Sequence, residues 1–398
     1  MKSILTASFA FVLAGTAPDC DAGQLEIDAG DIARNESIVT FDPLPGMAGA
    51  MALKAEDGRT FAVYKTPAGK LAFIAPPLEA GEKLTLKPDM AARFPDRVVT
   101  GKLEGSRMDF SCDGKAIASY QIEAKKSPRP DLNPLFLRGG YLHPLLTPSG
   151  KTVTDDYPVN HLHHHGVWMA WTKASVDGRE TDFWNMGQGK GRVDFLKIDS
   201  SWSLPDNAGV IAHQKYTDLT SGSPVDVLDE RWTVSVPRPA ATYNIIDLEA
   251  DQSTLGGKTL ELPIYHYGGI GIRGLEAWNG KGDAATFITS ENVTDRIKAN
   301  GQPARWVRMT GKVEGGGVAG IAILSHPGNF RSPQPVRIHP NEPFISFAPQ
   351  TNAAMSIKPG EIYKVRYRFI ISDGEADAAL LEKLWQDYAH PIKAKWKD

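Results

Sequence analysis

The sequence predicts an all-β chain: an antiparallel β-sandwich with a small N-terminal β-module and one C-terminal helix. Three observations predict it. Apolar residues alternate with a period of two through most patterned stretches, Gly (38) and Pro (28) break the chain at short spacing, and helical periodicity is confined to the end.

Residues 1–22 read as a secretory leader, with Lys2, an apolar run from Ile4 to Ala17 and small residues up to a cut after Ala22. That cut would remove Cys20 and leave Cys112 as the sole cysteine, so no intramolecular disulfide is expected. The expected location is the periplasm or the exterior. No later run reaches the roughly 18 apolar residues of a membrane helix. A formal charge of −3 without a basic run argues against nucleic acid or a membrane surface as partner.

The N-terminal β-module is expected over 23–126. Phe61–Tyr64 and Leu71–Ile74 flank a Gly-containing loop, and Arg107–Cys112 and Ile117–Tyr120 flank Asp113-Gly114-Lys115, so two hairpins are predicted. Proline-rich 127–134 is expected as a connector. The sandwich then follows over 135–398. Its strands include Arg231–Val236, Tyr243–Ala250 and Lys364–Ile371, and Val318–Leu324 is apolar enough for burial on both faces. Leu380, Leu381, Leu384, Trp385 and Tyr388 predict the helix, capped by Ser372 or Asp373.

Chemistry concentrates in His161–His165, which holds four of the ten histidines, with Trp168, Trp171 and Asp182-Phe183-Trp184-Asn185 close behind. If extended, the segment places His161, His163 and His165 on one face. Neutral imidazole is both a proton acceptor and a metal ligand, so three readings stay open. The cluster can do acid-base work with His161, His163 and His164 beside a carboxylate such as Asp182 or Glu230. It can hold a divalent metal through His161, His163 and His165, with Asp155, Asp156 or Asp182 as a further ligand. It can be a hydrogen-bonded polar seam.

Further polar groups flank turns: His143, His266 within Tyr265-His266-Tyr267, Arg273, His326, Asn329 and Arg331. Aromatic faces beside Arg, Asn and Asp are the parts a sugar site needs. Trp184 is the expected stacking face, and His143, Asn185, His266, Arg273, His326, Asn329 and Arg331 are the expected substrate contacts.

Five segments, Leu142–Gly150, His161–Trp168, Asp182–Asn185, Tyr267–Arg273 and His326–Asn329, together resemble the bacterial "methane oxygenase PmoA family", over roughly 130–375. His165 departs from that pattern, which has Arg there. The resemblance implies a galactose-mutarotase-like supersandwich and an association with sugar catabolism. The oxygenase activity in the label would need long apolar spans, which the sequence lacks.

The expected function is an exported carbohydrate-active enzyme using histidine acid-base chemistry for hydrolysis, elimination or epimerisation, with no required cofactor. The alternatives are a non-catalytic glycan-binding sandwich and a metal-dependent hydrolase.

Overall fold

A computed structural model describes residues 23–44, 51–89, 99–123, 129–280, 284–375 and 377–397. The expected leader with Cys20, and Ser127 and Pro128 of the expected connector, lie outside the described residues. Strands dominate, almost all antiparallel neighbours in four sheets, and the all-β expectation holds. No helix among the described residues is long and apolar enough to cross a membrane.

Two eight-stranded sheets form the sandwich. The front sheet runs, in spatial order, Val336–Ile338, Phe344–Phe347, Gly269–Arg273, Val167–Ala170, Tyr141–Leu145, Lys115–Gln121, Arg107–Cys112 and Val99–Glu104. The back sheet starts at Gly191–Ser203, passes through the long strands Asn207–Asp218, Val225–Pro237, Tyr243–Thr254 and Tyr363–Asp373, and ends through Val318–Ser325 and Trp306–Lys312 at Ala285–Thr289. Alternation explains why they stack. Val167, Met169, Ile270, Ile272 and Ile345 from the front share one buried cluster with Trp232, Val234, Leu248 and Phe369 from the back.

Both predicted hairpins are present. In the second, Asp113 (φ 48°) and Gly114 (φ 76°) take the left-handed backbone that a tight two-residue turn requires. Val318–Ser325 is buried on both sides, because the helix Ala378–Ala389 lays Leu381, Leu384 and Trp385 over Ala322, Leu324 and Ile370. The helix cap differs from expectation. Asp377 accepts from the Leu380 N–H at 2.9 Å, whereas Asp373 still belongs to a strand and accepts from the Ser149 hydroxyl at 2.5 Å.

The module boundary also needs correction. Lys115–Gln121 hydrogen bonds directly to Tyr141–Leu145, so 99–121 belongs to the front sheet and the expected connector falls between neighbouring strands of one sheet. The separate N-terminal sheet takes its seventh strand from the far end of the chain, Lys393–Lys397, which pairs with Gln24–Asp28. Trp396 packs on Phe41 there, ring centres 5.6 Å apart.

Between the two large sheets lies a polar island. Glu230 is fully buried and accepts from Gln252 Nε2 at 2.5 Å and from the Tyr216 hydroxyl at 3.2 Å, and Gln252 in turn accepts from Trp171 at 2.8 Å. Burial pushes the Glu230 carboxyl up from 4.5 to about 7, despite the opposing hydrogen bond of Gln252 and the charge of Arg138. Here the folded state holds the proton more tightly, so Glu230's contribution is complete below the ordinary carboxylate range and is lost as pH rises toward 7. The buried histidines act in the opposite sense, so variant and wild type must be compared. Glu230→Gln is expected to gain stability relative to wild type as pH rises from 5 to 7.5, by a few kcal/mol in order of magnitude. Urea unfolding at a series of pH values measures this, and a difference that does not change with pH would remove Glu230 from the account.

Candidate functional site

The histidine segment is not a strand. His161 N–H donates to the Pro158 carbonyl at 3.0 Å and His164 N–H to the His161 carbonyl at 2.8 Å, so two turns follow each other and Val167–Ala170 begins only after them. Turn geometry replaces alternation and gathers a different trio. His161 and His164 stack, ring centres 4.7 Å apart at 15°, and His163 stands edge-on to His164 at 4.6 Å. His165 leaves the group: its Nδ1 donates to Asp156 at 2.7 Å, and its ring lies between Tyr141 and Tyr157 at 4.5 and 4.7 Å.

This corrects the expected metal set. His161, His163 and His165 do not converge, His165 Nδ1 is committed to Asp156, and Asp156 also accepts from the Tyr141 hydroxyl at 2.8 Å. Among the described residues, no group of three or more His, Cys, Asp or Glu side chains is arranged to hold a metal ion.

The trio opens on a cleft of about 190 Å³ over the outer face of the front sheet, completed by Thr172, Trp184, Asn185, Tyr265 and Tyr267. Strand alternation builds its floor. Trp168 points outward while Val167 and Met169 point into the sandwich, and Trp184 and Phe344 join Trp168 in a second apolar cluster. Gly271 on the adjacent strand makes room, since a Cβ there would meet both indoles at 3.0–3.1 Å. Phe344 lies flat against His164 at 4.9 Å.

Asp182 shapes the cleft without facing the histidines. It accepts four hydrogen bonds, from Thr172 Oγ1 (2.9 Å), Trp184 N (2.9 Å), Asn185 N (2.7 Å) and Asn185 Nδ2 (2.9 Å), and so holds the turn that presents Trp184 and Asn185. The place beside the imidazoles expected for a carboxylate such as Asp182 belongs instead to Arg273. With none of its side chain exposed, Arg273 pairs with Glu342 at 3.0 Å and donates to Asn160 (3.1 Å) and Asn279 (2.7 Å). Its NH1 lies 3.4 Å from His164 Nδ1. Guanidinium can only donate, so Nδ1 accepts and the His164 proton sits on Nε2, the nitrogen left for the cleft. Arg273 is therefore behind the site, not a substrate clamp.

Burial keeps the cluster neutral. It lowers His161, takes His163 down to about 3 and takes His164 further below the usual histidine range, with the neighbouring rings and Arg273 adding to the effect.

The remaining expected contacts lie elsewhere. His143 Nδ1 meets Thr154 Oγ1 at 3.1 Å, outside the lining. His266 is exposed and packs on the two tyrosines, Tyr265 at 4.6 Å and Tyr267 at 4.5 Å. His326 packs edge-on to Tyr388 of the C-terminal helix at 5.2 Å. Asn329 ties its own loop to Arg366, and Arg331 donates to the carbonyls of Pro349, Ala353 and Ala354. Glu230 is between the sheets. Thr172 of the lining and His339, whose ring is 6.0 Å from His161, escape the sequence reading, and Tyr265 and Tyr267 enter it only as neighbours of His266. Alternation around His266 could have exposed the tyrosines, whereas nothing local marks His339.

A family model described as a family of unknown function (DUF6807) matches residues 107–386. It overturns the resemblance to the methane oxygenase PmoA family. No curated protein matches the chain in sequence. Among solved structures, the chain is similar to heparan sulfate lyase HepC from Pedobacter heparinus, with 12% identity and a TM-score of 0.33, over 71% of this chain and 38% of the lyase. It is also similar to a TPR-domain containing protein from Parabacteroides distasonis ATCC 8503, with 11% identity and a TM-score of 0.21, over 90% of this chain and 56% of that one. The chain thus spans less than two thirds of either, and likeness this distant carries nothing about activity.

Two measurements test the geometry. At pH 7 the 15N shifts of His164 are expected to report the Nε2–H tautomer; an Nδ1–H signal would break the Arg273 assignment. Arg273→Met, which strands Glu342 beside the cluster, is expected to cost about 3–5 kcal/mol in chemical denaturation.

Proposed function

We propose, for a chain that belongs to the DUF6807 family of unknown function, that the histidine cleft binds a sugar or sugar derivative and that His163 and His164 move protons on it. The observation carrying this reading is the trio itself. Three neutral imidazoles, one with its tautomer fixed by Arg273, stand over an aromatic floor in one cleft.

The roles follow from protonation state. His163 lines the cleft as an uncharged ring and accepts a proton from a sugar carbon or hydroxyl. His164, protonated on Nε2, donates a hydrogen bond to the oxygen on which negative charge develops. Trp184, Tyr265 and Tyr267 supply faces for the ring. Among the described residues no carboxylate lines the cleft, so hydrolysis by paired carboxylates has no players there. Proton removal next to a carbonyl, as in epimerisation or elimination, suits the set better. The leader pattern of residues 1–22 supports an exported protein.

One observation favours a second reading, a non-catalytic glycan-binding sandwich. An imidazole held down at about 3 is a weak base.

Incubation with keto-sugars and aldoses in D2O, followed by NMR, reads proton exchange at carbon directly. The wild type is expected to exchange, and His163→Ala and His164→Ala to lose about 100-fold or more. Between pH 5 and 8 the rate should show no histidine limb, because His163 stays neutral throughout. If both variants keep full turnover, the acid-base assignment is wrong. If Trp184→Ala abolishes sugar binding while the histidine variants bind normally and no exchange occurs, the module is a binder.

A further inference from the structure

We infer that the cleft takes a single neutral sugar ring and discriminates against uronic acids and sulfated sugars. This rests on the reading above that the cleft binds a sugar, and it goes further by naming which.

Hydrogen-bond sense separates the two kinds of ligand. A hydroxyl both donates and accepts, whereas a carboxylate or sulfate oxygen only accepts. The lining offers both kinds of partner. His164 presents Nε2–H. The Tyr267 oxygen already accepts from Arg337 at 2.9 Å, so its own proton remains to be donated. Asn185 directs its Nδ2 to Asp182 (2.9 Å) and Thr172 (3.3 Å), which leaves its Oδ1 as an acceptor. Neutral His163 offers one donor nitrogen and one acceptor nitrogen, and no protein hydrogen bond occupies either among the described residues. An anionic group could accept from these donors but would bring no proton to the Asn185 and His163 acceptors, which a hydroxyl satisfies.

Charge points the same way. Among the described residues no Arg, Lys, Asp or Glu lines the cleft. Of the nearby cations, Arg273 pairs with Glu342 at 3.0 Å, Arg337 donates to Asn300 Oδ1 and the Tyr267 hydroxyl, both at 2.9 Å, and lies over the Tyr267 ring, and the exposed Lys173 has its Nζ over the Tyr265 ring, 4.6 Å from the ring centre. Strong recognition of an acidic group needs direct, usually bidentate, cationic donors. An anion entering here would lose its hydration without gaining them. Size sets the other limit. A cleft of about 190 Å³ falls below the 300–1,000 Å³ or so typical of drug-sized ligands and suits one ring.

The test uses the full chain and matched ligand pairs: methyl glucoside against methyl glucuronide, methyl galactoside against methyl galacturonide, and galactose against galactose 6-sulfate. Binding is read by calorimetry, with tryptophan fluorescence as a second readout. At least one neutral member is expected to bind, with its acidic partner at least ten times weaker, and lengthening the ligand to a trisaccharide is expected to gain less than tenfold. An acidic member that binds as tightly as its neutral partner, or more tightly, overturns the inference and leaves the sugar reading standing. A trisaccharide gain of a hundredfold overturns the single-ring limit. If no member of any pair binds, the sugar reading falls and takes this inference with it.

Discussion

Arg273 carries a positive charge at zero solvent exposure, and the candidate site is arranged around the partners that make this tolerable. A lone buried guanidinium would be costly. Glu342 neutralises it, Asn160 and Asn279 accept from its Nη2, and its Nη1 turns to His164. Those partners come from three segments: Asn160 opens the histidine turns, Asn279 lies just after Arg273's own strand, and Glu342 precedes Phe344. One ion pair thus fixes three loops, and fixes the imidazole proton as a consequence.

The sheet beneath decides what those loops can present. Four neighbouring strands, Tyr141–Leu145, Val167–Ala170, Gly269–Arg273 and Phe344–Phe347, give one face to the sandwich core and the other to the site. Each odd or even step has a meaning. Ile270 and Ile272 hold the two sheets together, while Gly271 and Arg273 make room for indoles and anchor a histidine. Core packing and site contacts therefore fall on opposite faces of one strand.

Two buried polar centres separate along the same line. The Glu230 island lies between the sheets and is tied to Gln252 and Tyr216, so its proton answers to core packing. The histidine trio lies outside the front sheet and opens on a cleft, so its protons can meet a ligand. Burial raises the carboxyl to about 7 and lowers the imidazoles, in each case favouring the uncharged form. Membership of the DUF6807 family attaches this arrangement to residues 107–386, the part that contains both centres.

Sequence alone determined the all-β class, both hairpins, the doubly buried Val318–Leu324 strand and the C-terminal helix, because period and turn chemistry are local properties. It also pointed to His161, His163, His164, Trp184 and Asn185 as neighbours, since they lie close in the chain. It could not choose the trio. Alternation favoured His165, and only two successive turns, held by Pro158 and His161 carbonyls, put His164 in its place. Nor could it separate anchors from contacts: Arg273, Asp182, Asn329 and Arg331 look like ligand groups until their partners are seen, and His326 and His143 lie near loops that never reach the cleft. The pairing of Gln24–Asp28 with Lys393–Lys397, the placing of 99–121 in the front sheet and the approach of His339 to His161 were decided by tertiary structure. Each joins residues far apart in the chain, and hydrogen bonds and burial across such separations leave no local pattern to read.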